Sequence, residues 1–301
     1  MFDGATLVYK YDGSFEGLMC CVFTSYEEKE IPLDILPPEG QPGLFDTLKT
    51  IETDPQKAQR VYDSIPIKIS LEAQELVRLG FLTCAPQKER LIFLFLRLGY
   101  KVGGNVMGML TDEHVNALQK AVQNLTFESH RYKGFVRFSI YNEALVAMIE
   151  PQNFVLPLLA AHFSSRYPNE VFMIFDKTHK AALIHQAGRA EIVDVEDWEL
   201  PEPEESEVEY RRLWQQFYKT IAIESRDNPR CRMNFMPKRF WKHLTEFYPE
   251  QKVKARESKD GKPKGENPVY EEAAMLSGSK LSDNRWLQEG RNFQALGNLK
   301  P

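Results

Sequence analysis

The hydrophobic period changes once along this 301-residue chain, near residue 135, and that change limits the folds open to it. Before it, apolar residues recur at helical spacing: Ala58, Val61, Tyr62 and Ile65, then Leu71, Leu76 and Leu79, then Val115, Leu118 and Val122. After it, short β-rich runs follow one another closely. Phe135–Ile140 and Ala144–Ile149 flank a turn at Tyr141-Asn142-Glu143. Val171–Phe175, Ala181–His185 and Ala190–Val195 follow a helix, Phe154–Arg166, which Pro168 stops. Five strands with short connections predict a central antiparallel sheet flanked by helices, an α+β fold behind a helical N-terminal part.

The N-terminal part has detail of its own. Thr6–Tyr11 reads as a strand and Asp12-Gly13-Ser14 as a turn. Ser14 then caps a helix over Phe15–Tyr26, with Phe15, Leu18, Met19 and Phe23 on one stripe. Pro32–Gly43 reads as a loop and Leu48–Thr53 as a strand. Asp54-Pro55 starts the next helix, and Thr111-Asp112-Glu113-His114 starts a later one. Gly103–Gly108 lacks the Lys-Ser/Thr of a phosphate-binding loop and reads as a loop. The expected domain covers 1–250, divisible into a helical 1–125 and a sheet-bearing 126–250. A charged linker and tail fill 251–301.

Charge is distributed unevenly. The formal net charge is −5, so any nucleic-acid surface must be local. Residues 191–209 hold ten carboxylates and no Lys or Arg. Next comes the clearest helix, with Tyr210, Leu213, Trp214, Phe217 and Ile221 at i, i+3, i+4, i+7 and i+11. Beyond it, Arg226–Lys242 reads RDNPRCRMNFMPKRFWK, with six cations against one acid. The four cysteines show no CxxC spacing, which argues against a zinc site or an iron–sulfur cluster, and no cofactor is expected. Nothing in the chain reads as a signal peptide or a spanning helix, so the expected location is the cytoplasm.

Two clusters are candidates for holding nucleic acid. In the first, Arg226, Arg230, Arg232, Lys238, Arg239 and Lys242 would neutralise phosphates, with Lys219 just upstream, while Phe235 or Trp241 stacks on a base. The competing reading is a helix–loop–helix whose aromatics are core and whose cations pair with the acidic stretch. In the second, a strand through 131–138 would place Arg131, Lys133, Phe135 and Arg137 on one face. Catalytic candidates are Asp12 and Glu16, at a strand-to-helix turn, and Glu224, beside the basic segment.

Four blocks carry a resemblance: YDGSFEGLMCCVFTSYEEK at 11–29, RYKGFVRF at 131–138, FVLPLLAAHFSSRYPNEVFMIFD at 154–176 and FYKTIAIESRDNPRCRMNFMPKRFWKHLTEF at 217–247. Over about residues 4–248 the chain resembles a bacterial family of DNA repair or DNA metabolism proteins. Members are typically encoded beside a radical-SAM DNA repair protein and are found fused to uracil-DNA-glycosylase-like domains. The adjacent Cys20-Cys21 stands where small or apolar residues are usual, and the tail lies outside the resemblance. The resemblance implies DNA as the partner, though RNA fits the same residues, and a separately encoded radical-SAM protein as the enzyme it acts with. Two alternatives stand beside this: a nuclease or glycosylase-like enzyme using Asp12, Glu16 or Glu224, and a protein-interaction module with no DNA affinity.

Overall fold

The computed structural model describes residues 6–247 apart from 142, 196–197, 199–202, 204, 224 and 226–227. The charged linker and tail expected over 251–301 therefore lie outside the described residues. The chain is α+β, and it divides into two compact units. The first runs up to Phe127 and includes Gln152–Phe154; the second takes Glu128–Pro151 and continues from Val155.

The first unit holds a three-stranded sheet in the order β2-β1-β3, formed by Leu7–Lys10 (β1), Asp34–Leu36 (β2) and Thr47–Thr50 (β3). Both pairings are parallel. Between β1 and β2 lies helix α1, Phe15–Glu27. Ser14 caps it by accepting from the Gly17 N–H at 2.9 Å. The expected loop at Pro32–Gly43 in fact contains β2. Three residues are too few to show a period. What fixes them is the ladder, with the Leu33 N–H donating to Leu7 O and the Tyr11 N–H to Leu36 O.

Helices α2 (Pro55–Lys68), α3 (Leu71–Phe81) and α4 (Lys88–Val102) follow, then one 3₁₀ helix at Gly103–Gly108 where a loop was expected. Asp54 caps α2 and Ser70 caps α3. Their apolar faces meet α1 in one core that includes Leu18, Met19, Ile65, Phe93, Phe95 and Leu96. Burying each such side chain is worth about 1.5–3 kcal/mol. Cys20 and Cys21 are part of this core, while Cys84 and Cys231 are exposed.

Helix α5, Glu113–Phe135, runs through both units and starts where Asp112 accepts from the His114 and Val115 N–H groups. It overturns the expected strand at 131–138. Leu118, Leu125 and Tyr132 are all buried, so the helical stripe continues past 124 and carries Arg131 and Lys133 with it.

The second unit holds a five-stranded sheet in the order β4-β5-β6-β7-β8: Ser139–Tyr141, Ala144–Ile149, Phe172–Asp176, Ala181–Gln186 and Arg189–Asp194. Three pairings are antiparallel, but β5 and β6 are parallel. Helix α6, Leu156–Arg166, lies between them in sequence. It returns the chain to the end of the sheet from which β5 started, so β6 must run the same way. The expectation of a wholly antiparallel sheet missed that consequence.

Helix α7, Glu205–Ile221, is amphipathic as expected but presents its polar side to the sheet. Glu207, buried, accepts from the Ile140 N–H on edge strand β4 at 3.1 Å and from Arg211 Nε at 2.8 Å. Arg211 reaches Ser139 Oγ at 2.7 Å, and Gln215 donates to Thr245 O at 2.9 Å. The apolar stripe faces the other way. Tyr210, Leu213, Trp214, Phe217 and Ile221 are between 41% and 63% exposed. Here the polar stripe closes the open edge of the sheet, and that need fixes the helix's orientation.

This inverted docking has a measurable consequence. Trp214→Ser should change unfolding free energy by no more than about 0.5 kcal/mol, as an exposed position does. Glu207→Ala should cost about 1–3 kcal/mol, because it removes the acceptor of the Ile140 N–H and one of the partners of Arg211. Urea unfolding of the two variants checks this, and the opposite ranking would contradict it.

Candidate nucleic-acid interface

The described part of the basic segment is short and tightly folded. Asn228 caps helix α8, Pro229–Phe235, by accepting from the Cys231 N–H at 3.0 Å. Pro237 follows, then 3₁₀ turns at Lys238–His243 and Thr245–Phe247. Phe240 is buried, edge-on to Tyr132 at 5.0 Å and Phe135 at 5.2 Å between ring centres. That contact anchors the segment to the end of α5.

The aromatics divide into two roles. Trp241 stacks on Phe247 at 4.4 Å and donates its Nε1–H to Met236 O at 2.9 Å. Arg232 and Lys238 lie 5.7 and 6.0 Å from its ring centre. One face of Trp241 is thus occupied from within the unit. Phe235, by contrast, is 76% exposed.

The cations divide likewise. Arg239 pairs with Glu128 at 3.1 Å, Lys242 with Glu150 at 2.6 Å, and Arg137 with Glu246 at 2.7 Å. Arg137 also donates to the carbonyls of Gly134 and Val136. These partners lie outside the acidic stretch 191–209 that the competing reading invoked. Arg230, Lys133 and Lys238 are exposed, Arg131 and Arg232 half-buried, and Lys219 sits in the last turn of α7. Arg131, Lys133 and Arg137 therefore do not share a strand face: two lie on the last turns of a helix and the third follows it. Glu224 and Arg226 lie outside the described residues.

Asp12 and Glu16 belong to the first unit. Asp12 accepts from Ser14 N–H (2.9 Å), Ser14 Oγ–H (2.7 Å) and Thr53 Oγ1–H (2.7 Å). Burial would raise its carboxyl, but these hydrogen bonds outweigh burial and hold it below the usual range. It braces the turn that starts α1, with Gly13 in the left-handed region at φ 84°. Glu16 is buried in the first turn of the helix.

Sequence reasoning missed the carboxylates beneath the basic segment. Glu150 directly follows β5, and Asp176 ends β6; only the parallel pairing brings them side by side. Lone acids on separate strands carry no motif, so nothing in the sequence marks them. Burial would raise Glu150, but its bond to Lys242 and the charges of His243, Lys242 and Lys177 hold it low. Burial holds His243 below its usual value, against the pull of Glu150, whose Oε1 lies 3.4 Å from its Nε2. Burial pushes Asp176 up, against its bond to His179. Burial, with Glu128 adding to it, also raises Tyr132.

A family model described as a domain of unknown function, DUF4130, matches residues 86–246. The chain belongs to this family. The DUF4130 stretch includes Glu128, Glu150, Asp176 and the basic segment as far as Glu246, and it excludes Asp12 and Glu16. No curated protein matches. Among solved structures, a pGpG-specific phosphodiesterase from Vibrio cholerae is similar at 9% identity and a TM-score of 0.30, over 60% of this chain and 80% of that one. A likeness at that score says nothing of this DUF4130 chain's fold or chemistry. No helix among the described residues is long and apolar enough to cross a membrane.

His243 gives the docking of the basic segment a pH dependence. Its folded value is lowered, so the stability linked to it is complete above the ordinary histidine value of about 6.5 and is lost as pH falls through that value. Denaturant midpoints should fall between about pH 7 and 5.5. His243→Gln should flatten that part of the profile. An unchanged slope in the variant would assign it elsewhere.

Proposed function

We propose that this protein binds DNA through the basic, aromatic face of its second unit, and that it does so in DNA repair beside a separately encoded radical-SAM enzyme. One observation carries the binding half: Phe235 stands exposed at the end of α8, in the same short segment as the exposed cations Arg230 and Lys238. A water-exposed phenyl ring costs solvation and suits the face of an unpaired base, while the cations suit the phosphates on either side. The caging of Trp241 by Arg232 and Phe247 holds the segment in shape before a strand arrives, so less ordering has to occur on binding. The repair context and the partner rest on the family resemblance. The apolar stripe of α7 supplies a face that such a partner would cover.

Binding of a labelled single strand and its duplex across several salt concentrations tests this. On single strands, log affinity should fall with log salt at about 0.7 per phosphate contact, and the single strand should bind more tightly than the duplex. Phe235→Ala should cost about 1–3 kcal/mol with the salt slope unchanged. Arg230→Gln with Lys238→Gln should make the slope shallower. If neither strand form binds at low salt, the reading fails.

A further inference from the structure

The carboxyl ends of β5 and β6 hold a layered set of charges that the basic segment alone does not account for. Every other pairing in this sheet is antiparallel, so within it β5 and β6 alone end side by side. Ile149 is in register with Asp176, and the Lys177 N–H donates to Ile149 O at 3.0 Å. The side chains just past both strands therefore emerge together. In open sheets with parallel strands, the ends of such strands are where ligands bind.

The layering is specific. Beneath lie carboxylates: Asp176 is 0% exposed, and the Glu128 side chain is buried. Above them lie the bases that they hold. Asp176 Oδ2 is 2.7 Å from His179 Nδ1, Glu128 Oε1 is 3.1 Å from Arg239 Nη2, and Glu150 Oε1 is 2.6 Å from Lys242 Nζ. Asp176 also accepts from the Thr178 and His179 N–H groups, which fixes the turn that carries His179 and the exposed Lys177. With Asp176 accepting at Nδ1, the Nε2 of His179 points away from it.

Structural pairing alone is a poor reason for this arrangement. Burying a carboxylate beneath a cation gains little net stability over an apolar pair. What it does is hold cations at the surface: the Arg239 and Lys242 side chains are 39% and 60% exposed. An ammonium has three N–H groups, and the pair with Glu150 engages only part of the Lys242 set. Phosphate oxygens are acceptors only, so they match such a surface. Glu150 opposes an anion, but Lys242 lies against its Oε1 and offsets its charge.

We propose that this notch holds a phosphate group of the bound strand, with Lys177, His179, Arg239 and Lys242 directed at its oxygens. The proposal rests on the nucleic-acid reading above. It adds Lys177 and His179, which stand on the β6–β7 turn outside the basic segment. The phosphate is either an internal diester or a terminal monoester, and the same chemistry recognises both.

Fluorescence anisotropy on a short single strand, made with a 5′-phosphate or a 5′-hydroxyl, separates the cases. The intact chain is compared with a Lys177→Gln/His179→Asn double variant, whose thermal melt confirms folding. Suppose the variant weakens both strands alike and makes the salt slope shallower by about 0.7 per lost contact; the notch then holds a backbone diester. If the 5′-phosphate strand binds the intact protein more tightly and loses that advantage in the variant, the notch holds a terminal monoester. Should both strands bind the variant as they bind the intact protein, with the same slope, the notch is not a phosphate site. In that result the nucleic-acid reading survives, whereas no binding to the intact protein ends both.

Discussion

Phe240 fixes how the second unit presents its charges. Its ring is buried against Tyr132 and Phe135 on the last turns of α5, and it brings the 3₁₀ turn at Lys238–His243 onto the ends of β5 and β6. Once it is seated, Arg239 meets Glu128, and Lys242 and His243 meet Glu150. An aromatic contact of this kind adds about 0.5–1.5 kcal/mol beyond the area it buries. The half-exposed ion pair of Lys242 adds little by comparison. The ring therefore places the segment, and the ion pairs set its register.

Much of the fold was legible because local signals agreed with the final packing. Ser14, Asp54 and Asp112 read as helix starts, and each accepts the backbone N–H groups that a cap should. Strands β5 to β8 fell close to their expected places, whereas the strand expected over Phe135–Ile140 is only Ser139–Tyr141, because α5 runs to Phe135. Two of the failures share one cause, which is that long-range contacts leave no local trace. Strand β2 exists through pairing with β1, and β6 is parallel to β5 through the return of α6. The turns of α5 past residue 124 look like a strand in isolation, yet Leu125 and Tyr132 extend a helical face.

The candidate site shows the same division. Composition located the basic segment, because six cations in a short stretch of an acidic chain are visible without a structure. It could not show that Arg137, Arg239 and Lys242 meet carboxylates from distant positions, or that Trp241 has one face on Phe247. Nor could it show that α7 turns its apolar stripe outward. Amphipathicity reveals that a helix has two faces, but the unpaired edge of β4 decided which one the sheet took.

The central claim is that a nucleic-acid strand lies across the second unit, on α8, the turn after it and the ends of β5 and β6. Hydrogen–deuterium exchange with and without a saturating single strand tests it most directly. The account predicts slower exchange in Pro229–His243 and in the β6–β7 turn at 176–180, with the first unit unchanged. Protection confined to the turn around Asp12, or none anywhere while the strand is bound, would contradict it.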